Sequence, residues 1–190
     1  MILYIKNMVS HSCILVVKGE LEKLGIAYTS VKLGEIEVAD NLEFGACQKI
    51  ADSMQQLGFG LLLSRKQILL EKIKTIIIEL VHHSEDDLKF RYSDHISSKL
   101  NHHYKYLSTL FSKEMGLTIE EYIIAQKIER VKELMAYEDL NLTEIAFKAH
   151  YSSASHLSKQ FKKITGVSPS DYKKLNMLSL TPIEEVGIAV

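Results

Sequence analysis

Tryptophan is absent from this 190-residue chain, and proline and cysteine occur only twice each. With Pro169 and Pro182 as the only prolines, almost the whole sequence is open to helix and strand. Cys13 and Cys47 are too few for a disulfide framework, so a reducing, cytoplasmic home is the expectation. Long apolar runs are missing as well. Ile76-Ile77-Ile78 and Leu80-Val81 sit in a stretch broken by Lys74 and Glu79, and no membrane span is expected. The opening Met-Ile-Leu-Tyr-Ile-Lys lacks the basic region and apolar core of a signal peptide. No Gly-rich phosphate loop, Gly-x-Ser-x-Gly elbow or carboxylate pair appears, so nothing supports an enzyme. His82-His83 lie near a helix end, where neighbours point to different faces, and His102-His103 in a turn; none forms a metal pair at i and i+4, and no resident cofactor is expected. A net charge of −1 gives no overall basic excess, while 46% apolar residues exclude wholesale disorder.

What is present is a repeat. Leu107-Ser-Thr-Leu-Phe111-Ser-Lys113-Glu-Met-Gly116-Leu-Thr-Ile-Glu-Glu-Tyr122 returns fifty residues later as Leu157-Ser-Lys-Gln-Phe161-Lys-Lys163-Ile-Thr-Gly166-Val-Ser-Pro-Ser-Asp-Tyr172. Leu and Phe four apart share a helix face, Gly sits where a helix C-cap belongs, and Thr118 or Ser168 opens the next helix. A shorter helical segment precedes each copy. Ser93 is the expected cap of one running to Leu100, with Asn101-His102-His103 as its turn. Thr143 is the expected cap of the other, running to Ala149, where the small Ala146 permits close helix approach. Short helix, tight turn and second helix make a helix-turn-helix, whose second helix enters the DNA major groove. Ile96 to Leu107 spans one residue fewer than Ile145 to Leu157, so the second turn should be one residue longer. Between the units, Ile119, Ile123, Ile124, Ile128, Val131 and Leu134 form a helical stripe over 119–135. Such a rod, roughly 25 Å long, suits two recognition helices placed about one turn of B-DNA apart.

Residues 67–175 resemble the AraC/XylS family of bacterial transcription regulators. The resemblance rests on Ile145-Ala146, Tyr151-Ser152, Leu157-Ser158-Lys159-Gln160-Phe161-Lys162-Lys163 and Gly166-Val167-Ser168-Pro169-Ser170-Asp171-Tyr172. Two positions depart from the pattern: His150 stands where Gly is usual, and Leu157 where an aromatic is common. With Leu107, Phe111, Leu157 and Phe161 facing inward, Lys105, Ser108 and Thr109 project from the first recognition helix. Ser155, His156, Ser158 and Lys159 project from the second. The resemblance implies base contacts at Lys105, Ser108, Thr109, Ser155 and Lys159. Lysine can donate to guanine O6 or N7, and Ser or Thr can pair with several bases. Lys162, Lys163, Lys173 and Lys174 suit phosphates. The partners implied are double-stranded DNA and, from the resemblance alone, RNA polymerase. A small-molecule or metal effector is also open.

The first 63 residues read differently. A strand at 2–5, a helix at 11–24, strands at 27–33 and 35–39 about Gly34, a helix at 42–57 and a strand at 59–63 give βαββαβ, the ferredoxin-like order. The expected fold class is therefore α+β: a ferredoxin-like βαββαβ module (1–63), then an all-α domain with two helix-turn-helix units joined by a linker helix (64–175), then a tail (176–190). The opening Met8-Val-Ser10-His-Ser-Cys13, with its following helix, resembles the heavy-metal-associated domain, whose Met-x-Cys-x-x-Cys supplies two thiolates. Ser10 replaces the first thiolate and Asn7 a usual Gly. A hydroxyl is a poor ligand for Cu(I), which leaves Cys13 and His11 as the metal candidates and Met8 as a third. A module kept for self-association, or Cys13 as a redox sensor near a helix start, are the other readings of this half. The reading opposed to a regulator is a metal-binding or redox-sensing protein with a helical interaction scaffold. The tail is left open between disorder and docking.

Overall fold

The computed structural model describes residues 1–39, 42, 44–84, 91–137, 139–175 and 179–187. It divides into two compact units, Met1–Ile76 and Ile77–Val190, with the division inside one helix rather than at 63/64.

The first unit runs β1 (Ile2–Lys6), α1 (His11–Lys23), β2 (Tyr28–Lys32), β3 (Glu35–Val38), α2 (Phe44–Gln56) and β4 (Gly60–Leu62). Its four strands lie in the order β2-β3-β1-β4, every neighbouring pair antiparallel. Alternation sends Leu3 and Ile5 of β1, and Ile36 and Val38 of β3, to a common face. Val17 and Leu21 of α1, and Ile50 and Met54 of α2, each spaced by four, close over that face. Burying one such side chain contributes roughly 1.5–3 kcal/mol. The β2–β3 connection turns at Gly34 with φ +75°, where an L side chain would be strained. Residue 43, within the expected second helix, lies outside the described residues. Helix α3 (Arg65–Ile78) begins in this unit. Its Glu71 accepts from the Asn7 amide (2.8 Å), and Lys72 pairs with Glu35 (2.8 Å) over the Tyr4 ring. Those bonds explain why the unit extends beyond 63.

The second unit is helical. A π-helical turn, Glu79–His83, continues α3. After it come α4 (Tyr92–Leu100), α5 (Tyr104–Met115), α6 (Ile119–Tyr137), α7 (Leu142–Lys148), α8 (Ala154–Thr165), α9 (Pro169–Lys174) and a 3-10 turn at Ile183–Glu185. The repeat is carried into atoms. Gly116 and Gly166 cap α5 and α8 in the left-handed region, at φ +74° and +83°. Tyr122 and Tyr172 then return against Phe111 and Phe161, with ring centroids 5.4 and 5.3 Å apart. Thr118 and Ser168 accept the amides of Glu121 and Asp171. The long α6 buries Ile119, Tyr122 and Ile123 at its start, where Tyr122 meets Phe111 of α5, while Ile128, Val131, Leu134 and Met135 join Ile145, Leu157 and Phe161 in one core around α7 and α8.

Two expected caps are corrected. Ser93 does not cap α4; the chain enters through Arg91, with no side-chain cap. Thr143 lies inside α7, because Asn141 begins it two residues earlier. Asn141 Oδ1 accepts the amides of Thr143 and Glu144, and Glu144 returns to the Asn141 amide, a reciprocal pair that satisfies otherwise orphaned donors. The turns follow Asn101 (φ 52°) and His150 (φ 56°), both left-handed without being glycine. Asn101 leads to the N-cap His103 and His150 to Ser153, so the second turn is one residue longer. No helix among the described residues is long and apolar enough to cross a membrane.

Candidate nucleic-acid interface

Helix α5 hides Leu107, Leu110 and Phe111 and leaves Lys105 and Thr109 exposed, with Ser108 half-buried. Both hydroxyls turn back on their own helix: Ser108 donates to the Lys105 carbonyl at 3.1 Å and Thr109 at 2.8 Å. Tyr106 is 52% exposed beside them and leans on His102, with ring centroids 5.7 Å apart. The reading from sequence passed over Tyr106. Its signal was helical phase, since inward positions 107, 110 and 111 leave 105, 106 and 109 on the outer arc.

Helix α8 hides Leu157 and Phe161, and its first turn is tied by Ser153, whose hydroxyl accepts the His156 amide at 3.1 Å. Ser155, His156, Lys159, Lys162 and Lys163 are exposed, and Ser158 is half-buried. His156 is held in orientation by the Ser152 hydroxyl at Nδ1 (3.1 Å) and by the edge of the Tyr151 ring (5.4 Å). Lys162 and Lys163 fall in the last turn, where cations complement the helix dipole. Lys173 and Lys174 end α9 in the same way. One face of α8 thus carries three lysines, where α5 carries Lys105 and Lys113.

A cavity of about 580 Å³ receives Tyr104 from the start of α5, Ile123 and Lys127 from α6, Tyr151 from the second turn, and His156 and Gln160 from α8. Helices α5 and α8 therefore border one recess. Lys127 dominates it. Its Nζ donates to the His150 carbonyl (2.9 Å) and lies over the rings of Tyr151 and Tyr92, at 5.2 and 5.5 Å. Burial pushes this ammonium down to about 8 and the Tyr92 phenol up to about 12, and also raises Tyr151. The sequence reading gave Lys127 no role. Yet it stands four residues after Ile123, on the apolar stripe, where a charge has to find a partner. That partner is the left-handed turn at His150, the position where glycine is usual.

In the first unit, Ser10 begins α1 and its hydroxyl lies 3.4 Å from the Cys13 thiol, while His11 is exposed. Asn7 adopts φ 68°, suiting the place of a glycine. Met8 is corrected as a ligand candidate, because it is 2% exposed and packed in the core. Among the described residues, no group of three or more His, Cys, Asp or Glu is placed to hold a metal ion.

Residues 96–175 match the helix-turn-helix domain family. The chain is 31% identical over 105 residues to the uncharacterized HTH-type transcriptional regulator YtdP of Bacillus subtilis, covering 55% of this chain and 13% of that protein. It is 34% identical over 84 residues to the melibiose operon regulatory protein of Escherichia coli, covering 44% and 26%. The chain thus spans well under half the length of these relatives. The C-terminal domain of AraT, a response regulator from Geobacillus stearothermophilus, shares the fold. It has a TM-score of 0.51 at 24% identity, over 62% of this chain and 91% of that one.

Proposed function

We propose that this chain, whose residues 96–175 are a helix-turn-helix DNA-binding domain of the AraC type, is a sequence-specific transcription regulator that sets α5 and α8 into successive major-groove segments. The observation that carries this reading is the duplicated constellation: recognition helix, left-handed Gly cap, and returning Tyr against Phe, on both ends of α6. At 19 residues, α6 is about 28 Å long, commensurate with one turn of B-DNA. Lys105, Ser108 and Thr109, with Ser155, His156, Ser158 and Lys159, are the side chains assigned to base edges. Lys162 and Lys163 are assigned to phosphates, as are Lys173 and Lys174. In this reading RNA polymerase is the further partner and the setting is cytoplasmic.

The first unit is read as a ferredoxin-like module, supported by its βαββαβ order and its β2-β3-β1-β4 sheet. It resembles a heavy-metal-associated domain that has Ser10 in place of a thiolate. Self-association is the role we favour for it, because Leu15 and Val16 stand exposed on α1. An effector bound through Cys13 and His11 is the lesser reading.

Selection of bound duplexes from a random library tests the regulator reading. The expected product is a pair of short conserved blocks whose centres lie about 10 base pairs apart. A library that emerges without enrichment sinks it.

A further inference from the structure

Residues 179–187 belong to neither recognition helix, yet they are bonded to structures on both sides. Tyr172 of α9 donates its hydroxyl proton to the Ser179 carbonyl (3.1 Å). The Thr181 amide donates to Glu129 Oε1 (2.6 Å), and Gln126 Nε2 donates to the Ile183 carbonyl (3.1 Å). Val186 is buried. Gly187, at φ +78°, lies so near Tyr122 that a Cβ there would come within 2.8 Å of the ring and 3.6 Å of Leu117. As the tail advances from 181 to 187, its partners retreat along α6 from Glu129 to Tyr122. The segment therefore runs antiparallel to α6 over roughly 10 Å.

Its two ends meet equivalent objects. Tyr172 packs on Phe161 behind α8, and Tyr122 packs on Phe111 behind α5. Between them, Glu129 and Gln126 are 3% and 0% exposed, the two buried polar side chains of α6. Gln126 also holds the Tyr122 hydroxyl (2.9 Å) and His82 Nε2 (2.9 Å). Buried polar groups are tolerated where hydrogen bonds satisfy them. The tail backbone supplies one of those bonds to each. Long helices are rarely straight between their ends, and a second chain segment bonded alongside α6 fixes its curvature.

We propose that residues 179–187 are a positioning strap that holds the two helix-turn-helix units at a fixed separation on α6, so that the chain selects paired half-sites by their spacing. The inference rests on the two-helix reading of DNA binding given above. A rigid pair presents its second helix at high effective concentration only when the second half-site lies at the matching distance. One added base pair moves that half-site by about 3.4 Å and rotates it about the duplex.

The test compares the full chain with a chain ended after Leu175 and with Gly187→Val, which forces the strap end off Tyr122. Each is titrated on the library-selected duplex, on duplexes with one base pair added or removed between half-sites, and on single half-sites. The full chain should bind the altered spacings poorly. Ending the chain should shrink that spacing penalty about tenfold, leaving single half-site binding within about twofold. Gly187→Val should fall between. An unchanged spacing penalty in both variants overturns the strap. So does a parallel loss of single half-site binding and thermal stability in both, which would make the tail only a folding support. A full chain indifferent to every paired sequence is a different result, and it removes the two-helix reading and the strap together.

Discussion

The two helix-turn-helix units are the same device held together in different ways. The second is stapled by its own side chains: Asn141 with Glu144 at the start of α7, Ser153 at the start of α8, and Lys127 on the carbonyl of its turn. The first has no side-chain cap on α4 or α5, and its turn relies on Asn101. What holds it is packing around Ile96, Phe111 and Tyr122, which the second unit matches with Ile145, Phe161 and Tyr172. Both units share the packing of a Phe on a returning Tyr, and the second adds local bonds that the first lacks. A helix pair can keep its geometry through very different sets of interactions.

Substitutions at equivalent positions sharpen this contrast. Phe111→Ala and Phe161→Ala each remove a fully buried ring and should cost about 3–5 kcal/mol in denaturant unfolding. A loss below about 1 kcal/mol at either would show that the aromatic pair behind that helix is dispensable. Lys159→Ala should cost about 1–3 kcal/mol on the selected duplex and relax preference at one base. Equal weakening on random DNA would reassign Lys159 to a phosphate. Lys127 has a folded-state pKa of about 8, below its unfolded value, so the folded state loses that proton first. Stability should therefore rise between about pH 8 and 10.5, on the order of 3 kcal/mol, and Lys127→Met should abolish the rise. The raised phenols of Tyr92 and Tyr151 act in the opposite direction above about pH 10, so the difference between the two proteins is the quantity to measure. Asn141→Ala should cost about 1 kcal/mol, whereas Arg91→Ser, which gives α4 a cap it lacks, should gain a fraction of that. Last, Lys162→Ala should lower the salt slope of binding by about one without altering the selected sequence.

Most of the helical unit was legible in the residues, because its signals are local. Leu and Phe four apart, Gly at the cap and Tyr six beyond it each have one conformational meaning, and the duplication states them twice. The strands and helices of the first unit were found within a residue or two, from alternation and the Gly34 turn. What escaped depends on residues far apart in sequence. Lys127 and Gln126 interrupt an apolar stripe, and only the fold brings His150, His82 and Ile183 to them. The Ser93 and Thr143 caps failed for a local reason: the residue two places upstream took the entry position, and Asn141 outcompetes Thr143 because its side chain reaches two amides at once. The tail carried too few periodic residues to choose between disorder and docking, and its bonds are made through backbone that any sequence possesses.

The hydroxyls of Ser108 and Thr109 have already given their protons to the Lys105 carbonyl. What they hold out from α5 is lone pairs alone. In a groove, lone pairs meet the exocyclic amines of adenine and cytosine and are repelled by the oxygens of guanine and thymine. Under the proposed groove placement, those two positions of α5 would read bases only as acceptors, whereas Lys159 of α8 would read them as a donor.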